Sequence, residues 1–533
     1  MNGDNQGHET AISLFSVSNL SWQGSSQSIM GDRESIQTLL HQLDKPVYVF
    51  TESGKLAISC EGRLEVGGDR SLLAVLPARS AHDFGSQRFK ATYGTRYALY
   101  AGAMANGISS EQMVVDMARA GMMASFGAGG LLPARIEEAI LNIKAALPNG
   151  PYLFNLLNSP YEPLLEQRAV DLYLKHGIKG IEASAYLGMT RGLVRYRASG
   201  LSVDQQGRIV IGNRIIAKVS RKEVARHFLS PAPQDMLNKL VEEGEISAEQ
   251  AELARLVPMA DDITAEADSG GHTDNRPLVS LLPVMIAYRD SLQQNYNFAE
   301  PVRIGAGGGI STPAAALAAF MMGADYLVTG SINQACVESG ASDDVRAMLA
   351  QAEMTDVIMA PASDMFEMGV KVQVLKRGTL FPMRAGKLFE LYNRYNSIEE
   401  LPANERENLE SKIFQRNLDD VWVETKSFFK ERDPRQIERA EKDAHYKMAL
   451  VFRWYLGLSS RWASQAEPSR KMDYQVWCGP SMGAFNDWAR GTKFEQVENR
   501  KVVDVNLAIL EDCAYLARLQ LLRMQGVENI ADY

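Results

Sequence analysis

The 533-residue chain has only four cysteines, Cys60, Cys336, Cys478 and Cys513. They stand far apart and form no CxxC pair, which argues against a disulfide scaffold and against a structural zinc site. Free thiols suit a reducing compartment. A surplus of positive charge is also missing, since the net charge is −9. Proteins that neutralise nucleic-acid phosphates are usually basic, so no nucleic acid is expected as a partner. No apolar stretch reaches the roughly 18 residues that suggest a membrane span. The opening MNGDNQGHET lacks a cationic stretch followed by an apolar run, so no secretory signal is expected and the expected location is cytoplasmic. No GxSxG elbow, Walker A loop or HExxH occurs, and no His, Asp or Glu group has metal spacing.

What is present is the balance of a soluble globular protein, 46% hydrophobic and 23% charged. The length exceeds one ordinary core, so two or more domains are expected. Residues 1–30 are polar and rich in Ser, Gly and Gln, and read as a loose tail. Residues 31–90 hold a helix-like segment and then VYVFTESGKLAIS, two β-rich runs around a turn. With the tail, this gives a small β-containing cap over residues 1–90.

From about residue 95 a rhythm begins. Eight short apolar runs alternate with stretches of helical period: YALYAGA (97–103), MMASFGAG (122–129), YLFNLL (152–157), KGIEASAY (179–186), RIIAKVS (214–220), DDITAEAD (261–268), VRIGAGGG (302–309) and DYLVTGS (325–331). Helical candidates fall at 110–120, 133–147 and 313–323. Strands alternating with helices imply a parallel sheet. Eight units over residues 91–340 predict an α/β fold, a closed (β/α)₈ TIM barrel, against the rival of an open doubly wound sheet. Two insertions interrupt the rhythm, a β-hairpin with a Gln-Gln-Gly turn at 193–213 and a helical pair at 233–257. Both are expected at the C-terminal face, where they could cover a substrate. Residues 341–533 read as a mainly helical C-terminal appendage carrying five of the six tryptophans.

The sharpest chemical signal is VRIGAGGGISTPAAALAAFMMGADYLVTGS. Gly307, Gly308 and Gly309 follow a strand, Ser311 or Thr312 can cap the next helix, and Pro313 suits its first turn. Glycines allow backbone N–H groups close to a phosphate, and the helix N-terminus adds a favourable dipole. The next strand ends at Thr329, Gly330 and Ser331. Barrel phosphate sites are commonly formed by the loops after strands seven and eight, which are these two. The plain reading of one glycine cluster is a tight turn before a capped helix. Two such loops in succession favour a phosphate.

His272, in EADSGGHTDN behind Gly270 and Gly271, follows strand six and is placed for proton transfer or for polarising a carbonyl. Asp268 or Glu266 could orient it. Lys218 ends an apolar strand: it faces the barrel mouth as a cation for a reduced flavin, snorkels to solvent, or pairs with Glu182 or Glu266. Strand one ends in the small residues GAMANG, against which a flat ring could lie. Asn155 interrupts the apolar third strand and could hydrogen-bond such a ring. No Cys sits in the loop after strand six, which weighs against thiol catalysis of the nucleoside-monophosphate dehydrogenase type.

GAMANG, the Asn155 strand, SGGH, GAGGGIST and TGS occur in the order found in the FMN barrels of nitronate monooxygenases and flavin-type bacterial enoyl reductases. The chain resembles that superfamily. The segments EMGVKVQVLKRGTLFPMRAGKLFELY (367–392) and YQVWCGPSMGAFNDW (474–488) are similar to the trans-acting flavin enoyl reductase subunit of polyunsaturated fatty acid and polyketide synthases. The resemblance covers roughly residues 85–530. It implies that Ala103, Met104, Asn155, Gly308, Gly309, Gly330 and Ser331 hold FMN, with Lys218, Gly270, Gly271 and Gly307 beside them, and that His272 works near the substrate. It further implies reduction of an enoyl thioester on an acyl carrier protein by NADPH or NADH through FMN. Lys371, Lys376, Arg377, Arg384 and Lys387 form a basic run that could receive an acidic carrier, or could be a solvated face. A homodimer through the helical region is a further expectation. Two rivals remain from the sequence: a nitronate monooxygenase using oxygen, and a non-catalytic assembly subunit. The helical region speaks against the first, the retained flavin motifs against the second.

Overall fold

The computed structural model describes residues 20–527 apart from 53, 68, 69, 71, 159 and 161. Most of the expected tail, residues 1–19, lies outside the described residues. The rest of it is ordered: Leu20–Gln23 forms a strand antiparallel to Arg63–Val66. The chain divides into two compact units, one made of residues up to Phe84 with Leu510–Tyr533, the other of Gly85–Ile509.

In the first unit, the VYVFTESGKLAIS segment forms the expected hairpin of Val47–Glu52 and Lys55–Ser59, joined by Leu72–Leu76 in a three-stranded antiparallel sheet. Ile36 and Leu40 of helix Arg33–Leu40 pack against Val47, Val49 and Ile58, together with Leu522. Arg518, 4% exposed, donates to the carbonyls of Leu40, Gln42, Leu43 and Lys45. A guanidinium there satisfies acceptors that the end of the Arg33–Leu40 helix leaves over.

In the second unit the eight apolar runs form a closed parallel barrel. Its strands are β1 Leu99–Ala101, β2 Met123–Phe126, β3 Leu153–Leu157, β4 Gly180–Ser184, β5 Arg214–Val219, β6 Asp262–Glu266, β7 Arg303–Gly307 and β8 Leu327–Thr329. Closure comes from β8 on β1, with Leu327 opposite Leu99. The strands are mostly apolar because both their faces are covered, and the polar residues they carry are paired inside the barrel, such as Asp262 with Arg303 and Lys218 with Glu182 and Glu266. The helices that follow them are α1 Glu111–Arg119, α2 Pro133–Ala146, α3 Pro163–Lys175, α4 Arg191–Ser199, α5 Lys222–Leu229, α6 Leu278–Gln293, α7 Pro313–Met321 and the short α8 Ser331–Gln334.

The N-terminal end of the barrel is plugged. Asp262 and Arg303, the first residues of β6 and β7, form a buried ion pair (Nη2–Oδ2 2.7 Å). Tyr93 donates to the same carboxylate at 2.6 Å. Phe89 stacks on Tyr326 with centroids 4.3 Å apart. Chemistry is left to the opposite end.

Two expectations need correction and a third is refined. Residues 193–199 are not hairpin but the body of α4. Only Leu201–Val203 and Ile209–Ile211 pair, antiparallel, around the Gln-Gln-Gly turn. Both insertions also lie elsewhere than expected. The hairpin connects α4 to β5, and helices Gln234–Glu242 and Ala248–Ala254 connect α5 to β6. Segments that lead into strands lie at the N-terminal face, so neither insertion covers the mouth. Finally, the C-terminal region contains two strands, β9 Val357–Pro361 and β10 Lys371–Leu375, paired antiparallel. The two-residue strand Gly271–His272 adds to the free edge of β10, with His272 opposite Val372. The rest is helical, as expected, with α9 Leu418–Arg432 and α10 Ala444–Ser464 among its longer helices. Among the described residues no helix is long and apolar enough to cross a membrane.

Candidate active site

The C-terminal ends of the barrel strands open into a cavity of about 990 Å³, lined also by β10, α9 and α10. That volume is at the upper end of ligand sites and leaves room for a cofactor and a substrate together. Ala103, Met104, Asn155, Lys218, Gly270, Gly271, His272, Gly307, Gly308, Gly309, Gly330 and Ser331 all line it. Residues far apart in sequence are thus brought to one wall system.

The two glycine loops are built as a phosphate cradle requires. Gly308 has φ +80°, and a Cβ there would fall 2.6 Å from the carbonyl carbon and oxygen of Ala267. Only glycine fits that close approach. Gly309 also has φ +80°, but a Cβ on it or on Gly330 would meet nothing within 4 Å. These two backbones face open space. Thr312, not Ser311, caps α7, accepting from Ala315 N at 3.3 Å, with Pro313 at the first turn. The bare backbone and the capped helix start fit the phosphate of FMN.

At the end of β1 the Ala103 N–H donates to Glu182 Oε2 at 2.9 Å, and the Met104 N–H to Ser109 Oγ at 2.9 Å. Their backbone donors are therefore already used, and what the loop offers a ring is its flat, small-residue surface. Asn155, 5% exposed, spends Nδ2 on Glu182 O and Ser184 Oγ, both at 3.1 Å. That fixes its orientation and turns its Oδ1 to the Gly129 side of the cavity.

Lys218 takes the pairing alternative. Its Nζ lies 3.0 Å from Glu266 and 3.4 Å from the fully buried Glu182. Burial works against its charge, but the two carboxylates outweigh it and hold the ammonium well above its ordinary pKa. The cation therefore sits in the cavity wall inside an acidic clamp.

His272 is oriented by neither carboxylate suggested by the sequence. Asp268 is occupied by Asn275 (2.9 Å) and Gln373 (2.6 Å), and Glu266 by Lys218. The partner is Asp364, whose Oδ2 lies 2.9 Å from Nε2. Burial lowers the imidazole pKa, and the Asp364 carboxylate more than reverses this, so the net direction is up. Burial raises Asp364, and the His272 contact overrides it, so its carboxyl is held down. Both shifts favour an imidazolium–carboxylate pair.

Gly270 owes its identity to packing against the C-terminal region. A Cβ would lie 2.8–3.0 Å from the backbone atoms of Cys478. Gly271 takes φ +78° in the same turn. Glu166 is a further buried carboxyl in the cavity wall, bonded to Thr190 and to Asn158 Nδ2 at 3.1 Å, and burial raises its pKa.

The basic run is largely neutralised within the protein. Arg384 pairs with Asp473, Lys387 with Glu405 at 3.1 Å, and Arg377 with Asp356 at 3.2 Å. Sequence reasoning missed Asp364 and the cavity faces of α9 and α10. Asp364 sits 92 positions from His272, and no local pattern links the two.

Residues 22–78 match the family model described as the fatty acid synthase subunit PfaD N-terminal domain. Residues 395–474 match the model described as the inserted helical domain of acyl-carrier-protein S-malonyltransferase. A polyunsaturated fatty acid synthase protein of Thraustochytrium sp. is 49% identical over 509 residues, 94% of this chain and 34% of that protein. Polyketide biosynthesis protein PksE of Bacillus subtilis is 46% identical over 454 residues, 85% of this chain and 59% of PksE. The chain thus spans about a third of the first and three fifths of the second. The crystal structure of the enoyl reductase domain of MlnA, from the macrolactin biosynthesis cluster of Bacillus amyloliquefaciens, is similar with TM-score 0.78 and 42% identity, covering 82% of this chain and 98% of that domain.

Proposed function

The chain belongs to the family of the MlnA enoyl reductase domain, and from that premise we propose that it reduces the α,β double bond of enoyl thioesters carried on acyl carrier protein, in polyunsaturated fatty acid or polyketide synthesis. The observation that carries the reading is the convergence of two phosphate-ready loops, the Lys218 clamp and the His272–Asp364 pair on one cavity.

FMN held there would supply the hydride chemistry, taking hydride from NADPH or NADH and releasing it to the β-carbon of the acceptor. Gly308, Gly309, Gly330 and Ser331 would hold its phosphate. Asn155 and the Ala103–Met104 backbone would border its ring. Lys218 supplies a fixed cation in the wall while Glu182 and Glu266 keep it protonated.

His272 acts on the thioester. Asp364 accepts from Nε2–H, so Nδ1 can donate only in the imidazolium form, which the pair favours. From Nδ1 the imidazolium donates to the thioester carbonyl oxygen, where negative charge gathers as the β-carbon takes hydride. The α-carbon of the resulting enolate then takes the proton carried by His272 Nδ1, leaving a neutral imidazole that solvent reprotonates once the product has left. The helical region roofs the cavity and limits water at this step.

The test is an anaerobic stopped-flow experiment on the flavin-loaded protein. Bleaching of flavin absorbance by NADPH, followed by recovery on adding an enoyl thioester, is expected. Bleaching that recovers only with oxygen would favour the monooxygenase rival. A protein that cannot be loaded with FMN would remove the reading altogether.

A further inference from the structure

The C-terminal helices give the cavity a direction. On α10, Leu450, Arg453, Trp454, Gly457, Ser460 and Ser464 reach the cavity. Their spacing of three or four residues marks one helix face, and Leu450 to Ser464 spans about 21 Å at 1.5 Å per residue. The midpoint of that face lies beside the chemistry. A Cβ on Gly457 would be 3.4 Å from Ser363 Oγ, the neighbour of Asp364.

The two ends of the face differ in character. Toward the C-terminus, past Leu458, it is polar: Ser460, bonded to Asn106 Nδ2 at 3.2 Å, then Arg461, Ser464 and Gln465. Toward the N-terminus Leu450 packs with Phe429 in one apolar cluster. On α9 the cavity-lining positions are Glu424, Thr425, Phe428, Phe429 and Arg432, again one face, with Glu424 paired to Arg416 and Arg432 to Glu162. One turn beyond the phenylalanines, Arg432 makes a bidentate ion pair with Glu162 (2.6 and 2.9 Å), both about one-eighth exposed. Glu162 leads into α3, so this pair ties the helical wall to the barrel at the apolar end. Phe428 is 52% exposed although it borders the cavity. Its ring meets Phe429 edge-on at 5.1 Å and lies under the Arg432 guanidinium at 5.2 Å, so it is held in place and adds apolar surface to the cavity rim.

We propose that the apolar end, between α9 and the first half of α10, is the binding site for the acyl chain of the thioester, and that Phe428, Phe429 and Leu450 set its preference for chain length. The polar half, with Arg461, faces the hydrophilic carrier arm. This assignment rests on the enoyl reductase reading and deepens it. A long apolar chain gains by leaving water only where apolar side chains receive it, and within the helical wall Phe428, Phe429 and Leu450 provide them at one end.

The experiment compares crotonyl and dodecenoyl thioesters of N-acetylcysteamine on the flavin-loaded full-length protein. For wild type the kcat/KM ratio of dodecenoyl to crotonyl is expected to rise well above one, at up to roughly four-fold per methylene buried. Phe428→Ala and Phe429→Ala should each lower that ratio by roughly ten-fold or more, and Phe429→Leu should restore much of it. Phe428 is exposed, so its variant folds even if Phe429→Ala does not. Calorimetric binding of the saturated dodecanoyl thioester is measured in parallel and needs no turnover. Chain-length-dependent binding that the variants lose, without any turnover, would leave the acyl site standing and remove the reductase reading. A wild-type ratio near one with equal binding of short and long chains would overturn the acyl site, as would variants whose ratio does not move.

Discussion

Replacing Asp364 by Asn separates the charge of the His272 partner from its shape. The side chain keeps its size and can still meet Nε2, but the anion is gone. The contact is short, 2.9 Å, and the two side chains are 30% and 29% exposed. A hydrogen bond to a charged group contributes about 1.5–3 kcal/mol, and partial exposure screens some of it, leaving about 1–2 kcal/mol here. If that stabilisation is expressed in the transition state, kcat/KM falls roughly five- to thirty-fold. The pH dependence is more diagnostic than the loss. Asp364 holds the His272 pKa up against burial, so the limb of kcat/KM that falls with rising pH should move to lower pH in the variant. The stability change has a definite sign. The raised His272 pKa contributes stability below the unfolded-state value, lost as pH rises through the folded value. The lowered Asp364 pKa contributes above its unfolded value, lost as pH falls through the folded one. The difference between wild type and variant is therefore greatest between the unfolded values of about 3.9 and 6.5. Rate–pH profiles, an NMR titration of His272 and denaturant melts at several pH values measure all of this. An unmoved alkaline limb together with an unmoved His272 titration would refute the reasoning, whatever the loss of rate.

Gly308→Ala puts a methyl 2.6 Å from the Ala267 carbonyl at φ +80°; flavin content of the purified protein should drop roughly ten-fold, a cost near 1.4 kcal/mol, and full flavin content would count against the phosphate loop. Arg303→Met leaves Asp262 buried without its cation; denaturant melts should show about 3–5 kcal/mol lost, much of it recovered by also making Asp262→Leu, and a near-wild-type midpoint would refute this. Lys218→Met leaves Glu182 and Glu266 facing each other without their cation; denaturant melts should show about 3–5 kcal/mol lost, and a near-wild-type midpoint would show that the clamp does not depend on Lys218.

The barrel was legible because its strands are short, mostly apolar and separated by helices of clear period. The glycine loops at the barrel mouth were legible because positive φ and close backbone approach leave glycine as the only residue that fits, as at Gly308; the phosphate they would hold belongs to the proposed function. Helix α4 was not legible. Its sequence RGLVRYRAS carries three arginines, and one of them points inward. Arg197 is 1% exposed and donates to Asp261, Asn213 O and Pro258 O, while Arg191 and Arg195 reach outward to Glu245. A buried, fully bonded cation removes the apolar stripe by which a helix is recognised. The wrong face for the insertions had a related cause. With α4 read as hairpin, the segment appeared to follow β4 directly and so to lie at the mouth.

The pairing of His272 failed for a different reason. Local reasoning offers a histidine the carboxylates nearest in sequence, Glu266 and Asp268. Each is already spent on a stronger or better-placed partner. What positions His272 is backbone: as the edge strand of the β9–β10 sheet it is set in register opposite Val372, and Asp364 lies in the connection between β9 and β10. The same sheet therefore fixes both members of the pair. Close approach of Gly270 to Cys478, and of Gly479 to Ser269, locks the loop from the other side. On the proposed reading the C-terminal region is part of the catalytic apparatus: the barrel would supply the flavin-facing wall, and the region after residue 340 sets where His272 stands and supplies the Asp364 carboxylate beside it.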